Sequence, residues 1–337
     1  MSGLLRADWV RLRRRQTVQA VVLFVPLLAA AFFLLSFRST DIQFFFDEPA
    51  ERQMLTDSFA ESGLTPEEIK AQVDDIIEQE RQGYEQQRAQ MELTRATYAF
   101  PASIPTLLAS ATTVYLFGTI LLTATTLGDE FGWGTIRTSL LASSNRRRWL
   151  AARLALLIAV AAVGLALLVV LSLVLPLAIV AVVGHLPQPP PLDSAALAVL
   201  VGGHLVAAIM LIGFAAAATL AMRSGTLTLV IGLVYVLAET VVAGLLAQLP
   251  IFRPENQYGQ GNVAGPLAWL LDLLPVHATQ VLLATATQAT GGVFDYSGQG
   301  STVELGDAFG PLASVAAWAV IFMALAFVRF NRMDIAE

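Results

Sequence analysis

The chain has 337 residues, of which 56% are hydrophobic, with a mean hydropathy of +0.66 and a formal net charge of −6. That is too apolar for a soluble domain of this length. Cysteine is absent and lysine occurs once, at Lys70, which excludes disulfides, thiolate chemistry and a phosphate-binding loop of the GxxxxGK[ST] type.

A bilayer core takes about 20 helical residues to cross. The first apolar run of that length, 17–36, follows the arginine-rich segment LRADWVRLRRR and reads as a retained span rather than a cleaved signal. Segment 37–101 then carries 6 basic and 14 acidic residues. Within it, Thr65-Pro66-Glu67-Glu68 has the form of a helix start: a Thr cap, Pro at the first helical position and Glu at the third. Ile69, Val73, Ile76, Ile77, Tyr84 and Met91 follow at helical spacing, predicting one amphipathic helix over 66–96, weakly interrupted at Gly83. Such a helix is either a solvated acidic cap, or a lid or docking surface for an external protein partner.

The second span, 102–127, has Thr112, Thr119, Thr123 and Thr126 down one stripe, suited to helix packing or to lining a path. The polar connector 128–148, GDEFGWGTIRTSLLASSNRRR, runs from acidic to basic. Phe131, Trp133, Ile136, Leu140 and Leu141 can share one side of a helix there. Asp129 and Glu130 stand at its N-terminal end and Arg146 to Arg148 at its C-terminal end, the favourable sense for the helix dipole. An interfacial helix on anionic lipid would explain the arginines and the Trp, but less well the acids that precede them.

Spans at 154–183, 195–222 and 225–248 follow, the first two separated by a proline-rich turn at 187–191. Gly202-Gly203, Gly213 and the alanines at 215–218 suit close packing of the fourth span. In the fifth, Thr228, Gly232, Tyr235 and Glu239 share a face. Glu239 is a charged residue deep in a span, which costs about 2.5–3.5 kcal/mol on insertion scales, so it should face protein or water. His204 lies at matched depth in the fourth span, and the two could meet as a proton- or cation-sensitive contact or as a structural hydrogen bond. Segment 249–308 forms an outer loop whose apolar part, 263–288, is broken by Pro266, Asp272, Pro275 and His277. Its unbroken piece reaches about 20 Å as a helix, too short to cross, which predicts short re-entrant or interfacial helices. The last span is 309–328.

Sorted by side, the face holding both termini collects 13 of the 20 basic residues and 5 acids, while the other face has 7 basic and 20 acidic residues. The positive-inside rule therefore puts both termini in the cytoplasm. The class is an all-α integral membrane protein with six spans. Catalytic and metal-binding signatures are lacking: His185, His204 and His277 are dispersed, no HExxH occurs, and nothing points to nucleic acid.

The connector resembles that of permease subunits of ABC-2 type transporters, which carry an acidic residue, a Gly-Thr-x-Arg element, an apolar stretch and a basic residue opening the third span. The matching positions are Glu130, Gly134-Thr135-Ile136-Arg137, Leu140-Leu141, and Arg146 or Arg147, with Trp133 between the first two elements. The arginine-rich start, the ending FVRFNRMDIAE and LLPVHATQVLLATATQ are also similar to that family. Ser144-Asn145 stands where many members have a proline before the basic residue.

The resemblance implies a six-span half-transporter, like a type V ABC exporter, in the plasma or bacterial inner membrane. It would pair with a second copy or a homologous half and with two ATPase subunits encoded elsewhere. ATP and Mg would bind those subunits, not this chain, which would itself be no enzyme. The connector would be the coupling helix, with Glu130, Trp133, Gly134, Thr135, Arg137, Leu140, Arg146 and Arg147 as its contact residues. Thr112, Thr119, Thr123, His204, Tyr235 and Glu239 are candidates for the path of an amphipathic, drug-like, peptide or lipidic substrate. Two other functions fit the residues: a proton-coupled secondary transporter using Glu239, and a membrane scaffold or sensor binding a partner through the 66–96 helix.

Overall fold

The computed structural model describes residues 16–40, 47–59, 65–132, 145–251, 266–290 and 304–333. Among these, six helices are long and apolar enough to cross a membrane. They are α1 (Gln16–Ser39), α4 (Ser103–Gly132), α5 (Arg146–Val183), α6 (Ser194–Met222), α7 (Gly225–Leu246) and α9 (Phe309–Arg332). Two further helices, α2 (Glu48–Phe59) and α3 (Pro66–Ala96), lie between the first two spans. A 3₁₀ turn (Ala268–Leu273) and the short helix α8 (Pro275–Ala289) lie between the last two. This is the arrangement expected, with α2 as an element that the sequence did not announce.

Helix α6 is the hub, packing against α4, α5, α7, α8 and α9. Its small residues make that possible: Gly203, Ala207, Ala208, Ala215 and Ala216 are all buried. At Gly213 the approach of α9 is so close that a Cβ would lie 3.1 Å from the Met323 nitrogen. Association inside lipid relies on such packing, because lipid tails are as apolar as the side chains they would replace. Helices α1, α5 and α7 turn rows of large apolar residues outward, among them Leu27 on α1, Val174 on α5 and Val234 on α7. Six helices of spanning length, three of them with outward apolar rows, make a multi-pass membrane protein.

The helix ends follow the capping chemistry of the sequence. Thr65 and Glu68 form the expected reciprocal capping box, and α3 runs through Gly83 without a break. The Glu68 carboxylate accepts bonds from the Thr65 amide (2.9 Å) and hydroxyl (2.8 Å), which hold it below the usual carboxylate range. Val73 and Ile77 are buried and α3 packs against α2, so the periodic apolar positions of α3 serve a helical hairpin. Asn145, Asp193 and Ser224 cap α5, α6 and α7 with side-chain oxygens. Arg223, in the left-handed region at φ 54°, makes the tight turn from α6 to α7.

Two boundaries differ from expectation. Helix α4 continues past 127 to Gly132, and α5 begins at Arg146 rather than 154. The hydropathy pattern stopped at the charged residues Asp129, Glu130 and Arg153. The structure carries the helices through them, because Glu130 and Arg153 neutralise one another inside the bundle.

Candidate functional site

The connector leaves the bundle from the last turn of α4 and returns at the first turns of α5. Both roots are anchored. Glu130 is buried on α4 and Arg153 is buried on α5, and Nη2 of the guanidinium donates to Oε1 at 2.9 Å. The same guanidinium lies 5.4 Å from the centre of the Trp149 ring, a cation–π contact, and Trp149 stacks on Phe330 of α9 at 5.4 Å. Nearby, Arg146 donates to the Met333 carbonyl at 3.2 Å just past the end of α9. Thus α4, α5 and α9 are tied together where the connector begins and ends.

About half a turn before Glu130, at Gly128, α4 also meets α7. A Cβ on Gly128 would lie 2.4 Å from the Gly225 Cα, and one on Gly225 would lie 2.6 Å from the Ala124 carbonyl oxygen. Backbone touches backbone here, which only glycine allows.

Of the expected coupling residues, Glu130 belongs to this buried pair, while Arg146 and Arg147 are exposed in the first turn of α5. Trp133, Gly134, Thr135, Arg137 and Leu140 lie outside the described residues. Arg153 stands one residue before the span expected at 154–183, and hydropathy alone gives no sign of its pairing. The available signal was an acid and a base flanking one connector, each within a turn or two of an apolar helix.

The intramembrane polar residues find different partners from those anticipated. His204 faces Thr112 of α4 through Nε2 (3.0 Å) and the Leu200 carbonyl through Nδ1 (2.9 Å). Glu239 instead reaches α8: its Oε1 accepts from the Val276 amide (2.5 Å) and the His277 amide (2.9 Å). The ring of Tyr235, one turn away on the same face of α7, stacks on Phe214 at 4.8 Å. The expected meeting of His204 with Glu239 is therefore replaced by two separate contacts, although both residues are buried as expected. Thr119 and Thr123 are buried and donate to carbonyls of their own helix, at 2.7 and 2.8 Å, the usual membrane-helix use of threonine.

The Glu239 contact has a clear physical purpose. Helix α8 starts with Pro275, which has no amide hydrogen, and its cap residue Leu274 supplies no side-chain bond. The next two amides would be orphaned in an apolar setting, and a carboxylate at a helix N-terminus satisfies both while meeting the positive end of the dipole. Helix α9 completes the cradle: Trp318 donates to the Leu273 carbonyl at 2.7 Å and Ser314 to the Asp272 carbonyl at 2.8 Å. The short helix is thereby held between the fifth and sixth spans.

A family model described as ABC-2 family transporter protein matches residues 4–335, nearly the whole chain. The chain belongs to the ABC-2 transporter family. No curated protein and no solved structure gives a significant individual match. As an ABC-2 permease, the chain is the membrane component of an ABC transporter, and permeases of this family work with an ABC ATPase.

Proposed function

We propose that this ABC-2 permease is one half of an ATP-driven exporter, with both termini in the cytoplasm and the connector 128–148 docked on a separate ATPase. The second half is a further copy of the chain or a homologue, and two ATPase subunits carry the ATP and Mg. The substrate is amphipathic: a drug-like compound, a peptide or a lipid.

The observation that carries this reading is the Glu130–Arg153 pair. A force applied to the connector would otherwise be lost in bending its two roots independently. With the roots clamped by a buried charge-assisted bond, α4 and α5 respond as one rigid body. The Gly128–Gly225 contact then passes the displacement to α7, and the Trp149–Phe330 stack passes it to α9. Nucleotide-driven closure of the ATPase pair would in this way tilt four of the six spans together. The outward arginines of that end, among them Arg147 and Arg148, support its cytoplasmic assignment.

The test is purification from native membrane with identification of any attached ATPase, followed by ATP-dependent export from inverted vesicles. Arg137→Ala should leave the complex assembled but uncouple hydrolysis from export. Wild-type export by the Glu130→Ala, Arg137→Ala double variant would refute the coupling role.

A further inference from the structure

At the acidic end of the bundle, opposite the connector, a cavity of 670 Å³ opens between the last turns of α1, the end of α3, the start of α4 and helix α8. Among the described residues that line it none is charged, and most are serine, threonine or glutamine. They stand beside a segment dominated by acids, and they offer no counter-charge to two ligand classes. A phosphate or carboxylate head would find no cation, and an ammonium head would lose water without gaining a counter-charge.

The hydrogen bonds narrow the chemistry further. Thr94, Thr97, Thr106, Ser110 and Thr287 each give their hydroxyl proton to a main-chain carbonyl at 2.7–3.0 Å. Thr112 has two acceptors for its one proton, the Leu108 carbonyl (2.8 Å) and the His204 ring (3.0 Å). What these groups turn to the cavity is therefore oxygen lone pairs, an array of acceptors without charge. Its natural complement is a ligand rich in neutral O–H donors.

The larger share of the wall's surface is apolar, contributed by ring and aliphatic carbons and by the methyl groups of the threonines. Tyr98 sets its ring edge against Phe33 (5.0 Å) and Phe37 (5.3 Å), and Leu283 closes the α8 side. Ser36 and Ser39 bring the lining to the last turns of α1, where Leu35 is 64% exposed on the outward face of the same helix. A polar head in the cavity could keep its hydrocarbon tail along α1.

We propose that this cavity binds the uncharged, polyhydroxylated head group of an amphiphile, such as a glycosyl group on a lipid-like tail. The acceptor array holds the hydroxyls, the aromatic group packs against the C–H faces, and the tail remains outside. Because α3 contributes Gln90 and Thr94 to the wall, the α2–α3 hairpin forms one side of the binding site. The inference stands on the cavity alone and is tested without ATP or an ATPase.

The full chain is placed in phosphatidylcholine nanodiscs, with a fluorophore on a cysteine introduced into this cysteine-free sequence by Leu93→Cys, exposed beside the cavity but outside its lining. Four probes are titrated: monoglucosyl diacylglycerol, diacylglycerol, phosphatidylglycerol and maltose. The glucosyl lipid should saturate at a concentration at least tenfold lower than any of the others. Gln288→Leu, on the exposed side of α8, and Thr94→Val should each weaken it at least fivefold, while Thr125→Val, outside the cavity, should leave it unchanged. Equal binding of phosphatidylglycerol, equal binding of tail-less maltose, or indifference to both cavity variants would overturn the proposal.

Discussion

Replacing Glu130 by Gln tests the clamp at the root of the connector. Glu130 and Arg153 are both almost wholly buried and joined at 2.9 Å, so the variant leaves a guanidinium in the bundle without its carboxylate. Breaking a buried pair from one side costs about 3–5 kcal/mol, because the remaining charge stays desolvated. Arg153→Met should cost a similar amount, with about 0.5–1 kcal/mol added for the lost contact with Trp149. The double variant Glu130→Gln, Arg153→Met retains shape and removes both charges. Its loss should fall short of the sum of the single losses by about 1–3 kcal/mol, the coupling expected of directly bonded partners. Reversible unfolding in mixed micelles, followed by circular dichroism, measures all four proteins. Single losses below about 1 kcal/mol, or strict additivity, would refute the claim that this pair clamps α4 to α5. Exchanging the two residues by Glu130→Arg and Arg153→Glu adds a further discrimination. If the clamp alone matters, the exchange restores both stability and coupling. If Glu130 must also present its charge to a partner, stability returns without coupling.

Gly128→Ala should destabilise by about 1–3 kcal/mol, since its methyl group would overlap the Gly225 backbone, whereas Gly202→Ala meets open space and should be neutral or mildly stabilising in the same unfolding assay. Glu239→Ala removes the cap of α8 and should cost about 1.5–3 kcal/mol locally; a cysteine introduced by Thr285→Cys should then react faster with a maleimide, and an unchanged rate would contradict the capping role. The bonds that hold the Glu68 carboxylate below the usual carboxylate range stabilise the start of α3 fully above that range, and this contribution is lost as pH falls through the lower folded value. Amide exchange at residues 66–69 should therefore accelerate in acid relative to neutral pH, after correction for intrinsic rates, and Glu68→Gln should remove the difference. For orientation, cysteines introduced by Asp75→Cys and Arg147→Cys should be labelled by an impermeant reagent from opposite sides of intact cells, the first from outside.

Much of the fold was legible because the bilayer imposes it. Apolar runs of spanning length located all six spans, and the Thr65–Glu68 box located the start of α3, because both signals are local. Helix α2 escaped notice since none of its residues is buried, leaving no periodic apolar face to read. The true starts and ends of α4 and α5 were hidden by the same fact that makes them interesting. A charged residue looks like the end of a span until its partner, 23 positions away, is known.

The side-chain sites were less accessible for a related reason. Hydropathy gives the depth of a residue but not the rotation of its helix. Equal depth suggested that His204 and Glu239 would meet, yet α6 turns His204 toward α4 while α7 turns Glu239 toward α8. Helix α6 is apolar nearly all round, so its sequence carries almost no rotational phase. The cavity was invisible because its lining residues are scattered over four helices and share no motif in the sequence. Its signature lies in which hydroxyl protons are already committed, and that is settled only by the folded backbone.

The central claim is that the connector between α4 and α5 is gripped by an ATP-hydrolysing partner. A photo-reactive amino acid at position 133, activated in native membranes with and without a non-hydrolysable ATP analogue, tests it most directly. A cross-link to an ATPase subunit, with a yield that changes with nucleotide, is the expected result. Adducts formed solely with phospholipid, in membranes where the ATPase is present, would contradict it.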